Sequence, residues 1–102
     1  MTNPKLFTQP VTDFLKALGN EKRQEMLLNI FADEGEHNIG EVAGRVHIAQ
    51  STASEHLSLL KRAGILGSLK VEKEVFYQLN RPGILAAIDE IRQLLSCCPP
   101  EE

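Results

Sequence analysis

The stretch "QLLSCCPPEE" holds the only two cysteines of the chain, side by side at Cys97 and Cys98. Adjacent thiols can do three kinds of chemistry. As thiolates they bind soft metal ions and trivalent arsenic, which prefers about three sulfurs. As thiols they can be oxidised in sequence. As a vicinal disulfide they would be strained. Free cysteines are usually buried, so two of them in a polar, proline-terminated stretch stand out. A second concentration lies mid-chain, where Gln50, Ser51, Thr52, Ser54 and His56 fall close together. Gln pairs bidentately with adenine, and Ser and Thr contact bases or phosphate. His56 is placed to contact phosphate or the groove. Any one of these residues reads more simply as a helix cap or surface group. Their clustering just ahead of Lys61, Arg62, Lys70 and Lys73 is what points to DNA.

Enzyme chemistry lacks its parts. The chain has no Gly-rich phosphate loop, no His paired with a carboxylate at usable spacing and no nucleophile motif. No His lies beside the cysteines in the last helix to activate them.

The net charge of −3 argues against a general polycation. Its distribution is uneven, however. Residues 1–44 and 74–102 are each acidic, and residues 45–73 form the one basic region, which holds five Lys+Arg against Glu55 and Glu72. That region is the face to offer a polyanion. A chain of 102 residues implies one domain, residues 1–102, with residues 1–10 as an extension and 97–102 as a tail. No apolar run approaches a membrane span, and "MTNPKLFTQP" lacks a signal-peptide pattern. A cytoplasmic location with reduced thiols is therefore expected.

The elements that must position these residues are five helices and a two-stranded hairpin, a mainly α arrangement. Phe7, Val11, Phe14, Leu15 and Leu18 make a helical stripe that Gly19 ends. Asn20 can cap a second helix, which buries Met26, Leu27, Ile30 and Phe31. "ADEGEHN" reads as a polar loop. Asn38 caps a short third helix with Ile39, Val42, Ala43 and Val46 inside. In the fourth, Thr52 and Glu55 match a capping box, Ala53, Leu57 and Leu60 form the stripe, and Gly64 is the stop. "LKVEKEVFYQL" is a hairpin turning at "EKE". Pro82 suits the first turn of a fifth helix, lined by Ile84, Leu85, Ile88, Ile91, Leu94 and Leu95. Short helix, tight turn, second helix and basic hairpin make a winged helix-turn-helix, in which the first helix braces the second for entry into a major groove. The first and last helices carry apolar stripes too broad for so small a domain to bury alone, which permits a dimer.

The stretch "IGEVAGRVHIAQSTASEHLSLLKRAGIL" with "VFYQL" after it resembles the arsenical-resistance/metallothionein repressor (ArsR/SmtB) family of bacterial winged-helix regulators. The Ser54-x-His56-Leu57 triplet, the Leu60 spacing and "AGIL" ending at Leu66 are the specific part, and "LGNEKRQEMLLNIF" resembles the family's second helix. The likeness spans roughly residues 11–95. It implies a homodimer joined through the first and last helices. It also implies binding to an imperfect palindrome in double-stranded DNA and repression until an inducer binds, with no resident cofactor.

Three departures from the pattern bear on the DNA contacts. His47 stands where the family often has Gly in the turn, so a left-handed backbone is expected there at some cost. Ala49 replaces the small polar residue that usually opens the recognition helix, shifting the cap to Ser51 or Thr52. Glu72 and Lys73 occupy a wing tip that often has Gly.

The family's commoner metal sites are missing. "HNIGEVAG" has no cysteine, and "GILAAIDEIRQLL" offers Asp89 and Glu90 without His, a poor zinc site. His37 and His47 read as surface residues. A few family members are similar to this chain in having adjacent cysteines just after the last helix and binding arsenite there. By that likeness Cys97 and Cys98 are the candidate ligands for As(III) or a soft metal ion. The pair is one sulfur short, and redox or persulfide sensing, or a constitutive winged-helix DNA-binding or protein-interaction module with no ligand, which the −3 charge and Glu55 favour slightly, remain open.

Overall fold

The structure, a computed structural model, describes residues 6–96. The first helix, α1 (Gln9–Leu18), starts where the Thr8 hydroxyl accepts from the Val11 N–H, and Gly19 closes it by donating to the Lys16 carbonyl. Its inner face is Val11, Phe14 and Ala17. Phe7 falls outside the helix and Leu15 on its exposed flank, so two members of the expected stripe do not join the core.

Asn20 caps α2 (Glu21–Asn29) as expected, accepting from the Arg23 N–H at 3.0 Å. The helix stops before Phe31, which is buried in a 3-10 turn, Phe31–Asp33. Asn38 caps α3 (Ile39–Val46), accepting from the Glu41 N–H at 2.8 Å. His47 ends α3 in the left-handed region at φ 60°, ψ 51°, as the turn requires.

The recognition helix α4 (Gln50–Arg62) corrects one expectation, because the Thr52–Glu55 capping box does not form. The helix opens earlier, with Ala49 in the cap position and no side-chain bond there. The reason is the tight connection. Ile48 N–H returns to the Ala43 carbonyl, and the Ala49 carbonyl already accepts from Ala53. Starting the helix there puts Ala53, Leu57 and Leu60 into the core.

Strands β2 (Leu66–Val71) and β3 (Glu74–Leu79) form the wing, with Leu66 opposite Leu79 and Val71 opposite Glu74. The turn is therefore only Glu72 and Lys73, with Glu72 at φ 58°. A third strand, β1 (His37–Asn38), was not legible in the "ADEGEHN" segment. It pairs antiparallel with β3, His37 opposite Tyr77, giving the order β1-β3-β2. Last comes α5 (Arg81–Ser96). Asn80 joins it to the end of α4. Its Oδ1 accepts from Gly83 N–H, its Nδ2 donates to the Gly64 carbonyl at 3.0 Å, and its own N–H donates to Ile65.

The core gathers Phe14, Met26, Ile30, Phe31, Val42, Val46, Leu57, Leu60, Ile65 and Tyr77. Helix α5 buries no residue fully: Ile84, Ala87 and Ile91 pack half-buried against the core, while Leu85, Ile88, Leu94 and Leu95 are exposed. The radius of gyration, 16.3 Å, exceeds the roughly 13 Å of a compact domain this long. No helix among the described residues is long and apolar enough to cross a membrane.

His37 is buried rather than on the surface. Its Nδ1 lies 2.6 Å from Glu41 Oε2 and its Nε2 3.0 Å from Asp33, while its ring meets Phe31 edge-on. Burial pushes its pKa down, but the hydrogen bonds and charges of Asp33 and Glu41 outweigh that and hold it above the ordinary imidazole value. Asp33 is held below the usual carboxylate value by His37 first and by the Gly35 N–H second. Arg45 extends the cluster, bridging Glu41 at 3.2 Å to the Asn29 carbonyl at 2.9 Å. His47 is exposed, as expected.

Candidate nucleic-acid interface

The predicted contact residues fall into three groups on this scaffold. Gln50, Ser51 and Thr52 form the exposed first turn of α4, and Ser54 is half-buried behind them. Because Ala49 supplies no cap, the N–H groups of that turn receive no side-chain bond from the cap residue. They carry the partial positive charge of a helix N-terminus, which favours a phosphate. The structure brings Gln50 together with the wing. A cleft of about 390 Å³ is lined by Asn38, Ile39, Gly40, Gln50, Lys73, Glu74 and Val75. Glu74 is fixed there by the Asn38 side-chain amide at 2.7 Å. Lys73 therefore stands beside both the start of α3 and the start of α4, while Lys70 is exposed further along β2.

Lys61 and Arg62 are not part of that cluster. They occupy the last turn of α4, roughly 16–18 Å along the helix from Gln50. There they complement the negative end of the helix dipole. Arg62 also lines a smaller cleft, about 120 Å³, with Asp13, Lys16, Leu59 and Ala63. Glu55 is exposed on the same helix and sets a negative charge among these groups.

His56 is placed differently from its neighbours. It is half-buried beside the Ala53–Leu57–Leu60 stripe, and its Nδ1 lies 3.0 Å from Arg23 Nη1. Burial first, then the charges of Arg23 and Lys22, hold its pKa below the ordinary value against the pull of Glu55. Arg23 is a residue that sequence reasoning missed, although a cation in the first turn of α2 sits at the wrong end of that helix's dipole. Among the described residues no group of three or more His, Cys, Asp or Glu could hold a metal ion. Cys97 and Cys98 lie outside the described residues.

A braced helix with an exposed polar first turn, flanked by a hairpin with a lysine at its tip, is the DNA-binding unit of winged helix-turn-helix proteins. Residues 21–68 match the family described as bacterial regulatory protein, arsR family. The transcriptional activator HlyU of Vibrio cholerae is 34% identical over 80 residues, covering 78% of this chain and 72% of that protein. Its solved structure superposes with a TM-score of 0.64 at 31% identity, over 87% of this chain and 94% of that one. The biofilm growth-associated repressor of Agrobacterium fabrum is 30% identical over 92 residues, covering 90% of this chain and 75% of that protein. The homodimeric winged helix-turn-helix DNA-binding domain Mb0332 of Mycobacterium bovis has the same fold, with a TM-score of 0.64 at 22% identity over 91% of this chain and 88% of that one. The chain belongs to the arsR family of bacterial regulatory proteins. It is a DNA-binding transcriptional regulator and not an enzyme.

Proposed function

We propose that this regulator is a cytoplasmic homodimeric repressor. In this reading it binds an imperfect palindrome and is released when As(III) or a soft metal ion binds Cys97 and Cys98. The observation that carries the dimer is α5, sixteen residues long with none fully buried and with Leu85, Ile88 and Leu95 at least half exposed. Helix α1 packs beside it, and the Thr8 hydroxyl donates to Glu90 across the pair. A second copy placing its own α1 and α5 on these faces would remove that apolar surface from water. Mb0332, which shares this fold, is a homodimer, and that supports dimerisation here. A two-fold axis there would set two α4 helices one DNA turn apart. Gln50, Ser51, Thr52 and Ser54 would then read bases or contact phosphate, and Lys61, Arg62, Lys70 and Lys73 would contact phosphate.

The sensor reading rests on the thiol pair following α5 directly in sequence. A ligand gripping both thiols would act on the helix that forms the interface. With only two sulfurs per chain, a third ligand would come from the partner copy, water or a small thiol. A thiol-oxidation switch needs no third ligand and is the alternative chemistry of the same pair.

The test is DNA binding to the region upstream of the protein's own gene, with and without arsenite, soft metal ions and polysulfide. If all eight cations of a dimer neutralise phosphates, log K against log salt has a slope of roughly −7. A flat salt dependence sinks the DNA contacts assigned above. If every additive leaves the wild type bound, the sensor is refuted. If a Cys97→Ser/Cys98→Ser protein still releases DNA, the sensing site lies elsewhere.

A further inference from the structure

Arg23 joins three helices. From the first turn of α2 its Nε donates to the Ala17 carbonyl at 2.8 Å and its Nη2 to the Lys16 carbonyl at 3.2 Å, both in the last turn of α1. Its Nη1 reaches His56 Nδ1 on α4 at 3.0 Å. A guanidinium has only N–H donors and stays protonated. His56 Nδ1 must therefore be the acceptor, which puts the ring proton on Nε2 and keeps the ring neutral. The other charged groups around the ring are Lys22 of α2 and Glu55 of its own helix. Lys22 is itself held by Glu25 at 2.9 Å and by the Val46 carbonyl of α3 at 3.1 Å. On α1, Asp13 and Lys16 line the cleft with Arg62, further along α4.

We propose that Arg23 is a positioning residue for operator binding: it ties the recognition helix, through His56, to the end of α1 and holds His56 as the neutral Nε2–H tautomer. The proposal rests on the DNA-binding role assigned to α4. Its physical content is a clasp. Helix α1 packs against α5, the element left open to a second copy, so Arg23 sits between the dimerising helices and the helix that faces DNA. Protonating His56 removes the Nδ1 lone pair and sets two cations 3.0 Å apart. The clasp then opens while the apolar core of α4, Ala53, Leu57 and Leu60, stays buried. Non-specific affinity gains from an added positive charge, so the signature is lost selectivity rather than lost binding.

The experiment has two parts. In the first, a duplex selected in vitro from random sequence and a scrambled duplex of equal length are titrated at about pH 7.5 and at about one pH unit below the His56 midpoint read in the second part. The wild type is expected to lose about fivefold to tenfold in selectivity at the lower pH, the worth of one net hydrogen bond. His56→Gln, which keeps an acceptor that does not titrate, should stay selective at both. His56→Leu and Arg23→Leu should be poorly selective at both, with unchanged helical content by circular dichroism. In the second part, nitrogen NMR of the imidazole in the DNA-free protein should show the Nε2–H tautomer and a midpoint below the ordinary value, which rises in Arg23→Leu. An Nδ1–H tautomer, or a midpoint indifferent to Arg23, refutes the clasp. Wild-type selectivity in His56→Leu refutes the positioning role. A wild type with no preference for any duplex overturns the DNA reading and the positioning role with it, whereas the clasp stands or falls on the spectra.

Discussion

The same substitution, Gly to Ala, should have opposite signs at two glycines of this chain. Gly83 lies in the first turn of α5, against the turn that ends α4. A Cβ there would fall inside van der Waals contact of the Gly64 carbonyl oxygen and of Asn80 Nδ2, with Asn80 Cγ at 3.0 Å. Relief takes roughly 1 Å of movement to restore an ordinary carbon contact. The atoms that must move are those that Asn80 bridges, the Gly83 N–H and the Gly64 carbonyl. Weakening two such bonds costs about 0.5–1.5 kcal/mol each, and overpacking adds about 1–3 kcal/mol. Against this stands about 0.5–1 kcal/mol of helix propensity gained by Ala. The net is a loss of roughly 1–5 kcal/mol. Gly44 lies exposed within α3 with nothing within 4 Å of an added Cβ. There only the propensity gain acts, so Gly44→Ala should stabilise by about 0.5–1 kcal/mol. Thermal unfolding at fixed protein concentration reads both, at about 4–8 °C per kcal/mol for a chain of this size. Gly44→Ala should melt a few degrees higher and Gly83→Ala on the order of 10 °C lower. If the two variants shift in the same direction, the close approach of α5 to the end of α4 is not what holds that corner.

Three further outcomes are expected. His37 has a raised folded pKa, so its contribution to stability is full below the unfolded imidazole value and is lost as pH rises through the folded one. Denaturant titrations should show that loss in the wild type as pH rises past the ordinary imidazole value, and the same loss persisting in His37→Phe counts against it. Asp33, with a lowered folded value, should show the reverse, its contribution disappearing as pH falls through that value. His47→Gly removes a non-glycine residue from φ 60° and should raise stability by about 0.5–1 kcal/mol in the same melts. Ile88→Lys, at a half-exposed position of α5, should give a folded chain that sediments as a monomer, and an unchanged dimer places the interface elsewhere.

What could be read in advance was whatever depends on near neighbours in the chain. Asn20 and Asn38 cap helices because their side chains reach an N–H three residues on, and that spacing is visible in the sequence. His47 takes a left-handed backbone because a short turn must reverse the chain between α3 and α4. The recognition-helix cap misled for a related reason. The Thr52–Glu55 pattern is local, but the start of α4 is decided by which residues must face the core, and Ala53, Leu57 and Leu60 outweigh a capping box. His37 was misjudged because its burial comes from pairing with Tyr77, forty residues away, a contact no local pattern carries.

Arg23 is the instructive omission, because a local signal did exist. Lys22 and Arg23 put two cations in the first turn of α2, where the helix dipole disfavours them. Neither side chain serves its own helix terminus. Lys22 reaches the last carbonyl of α3, and Arg23 reaches the last carbonyls of α1 and the ring of His56. Each therefore brings a cation to the negative end of a neighbouring helix, where it is favoured. Charge at the wrong end of one helix is thus a readable sign that another helix ends beside it. Here it locates the point where α1, α2, α3 and the recognition helix are held in fixed relation.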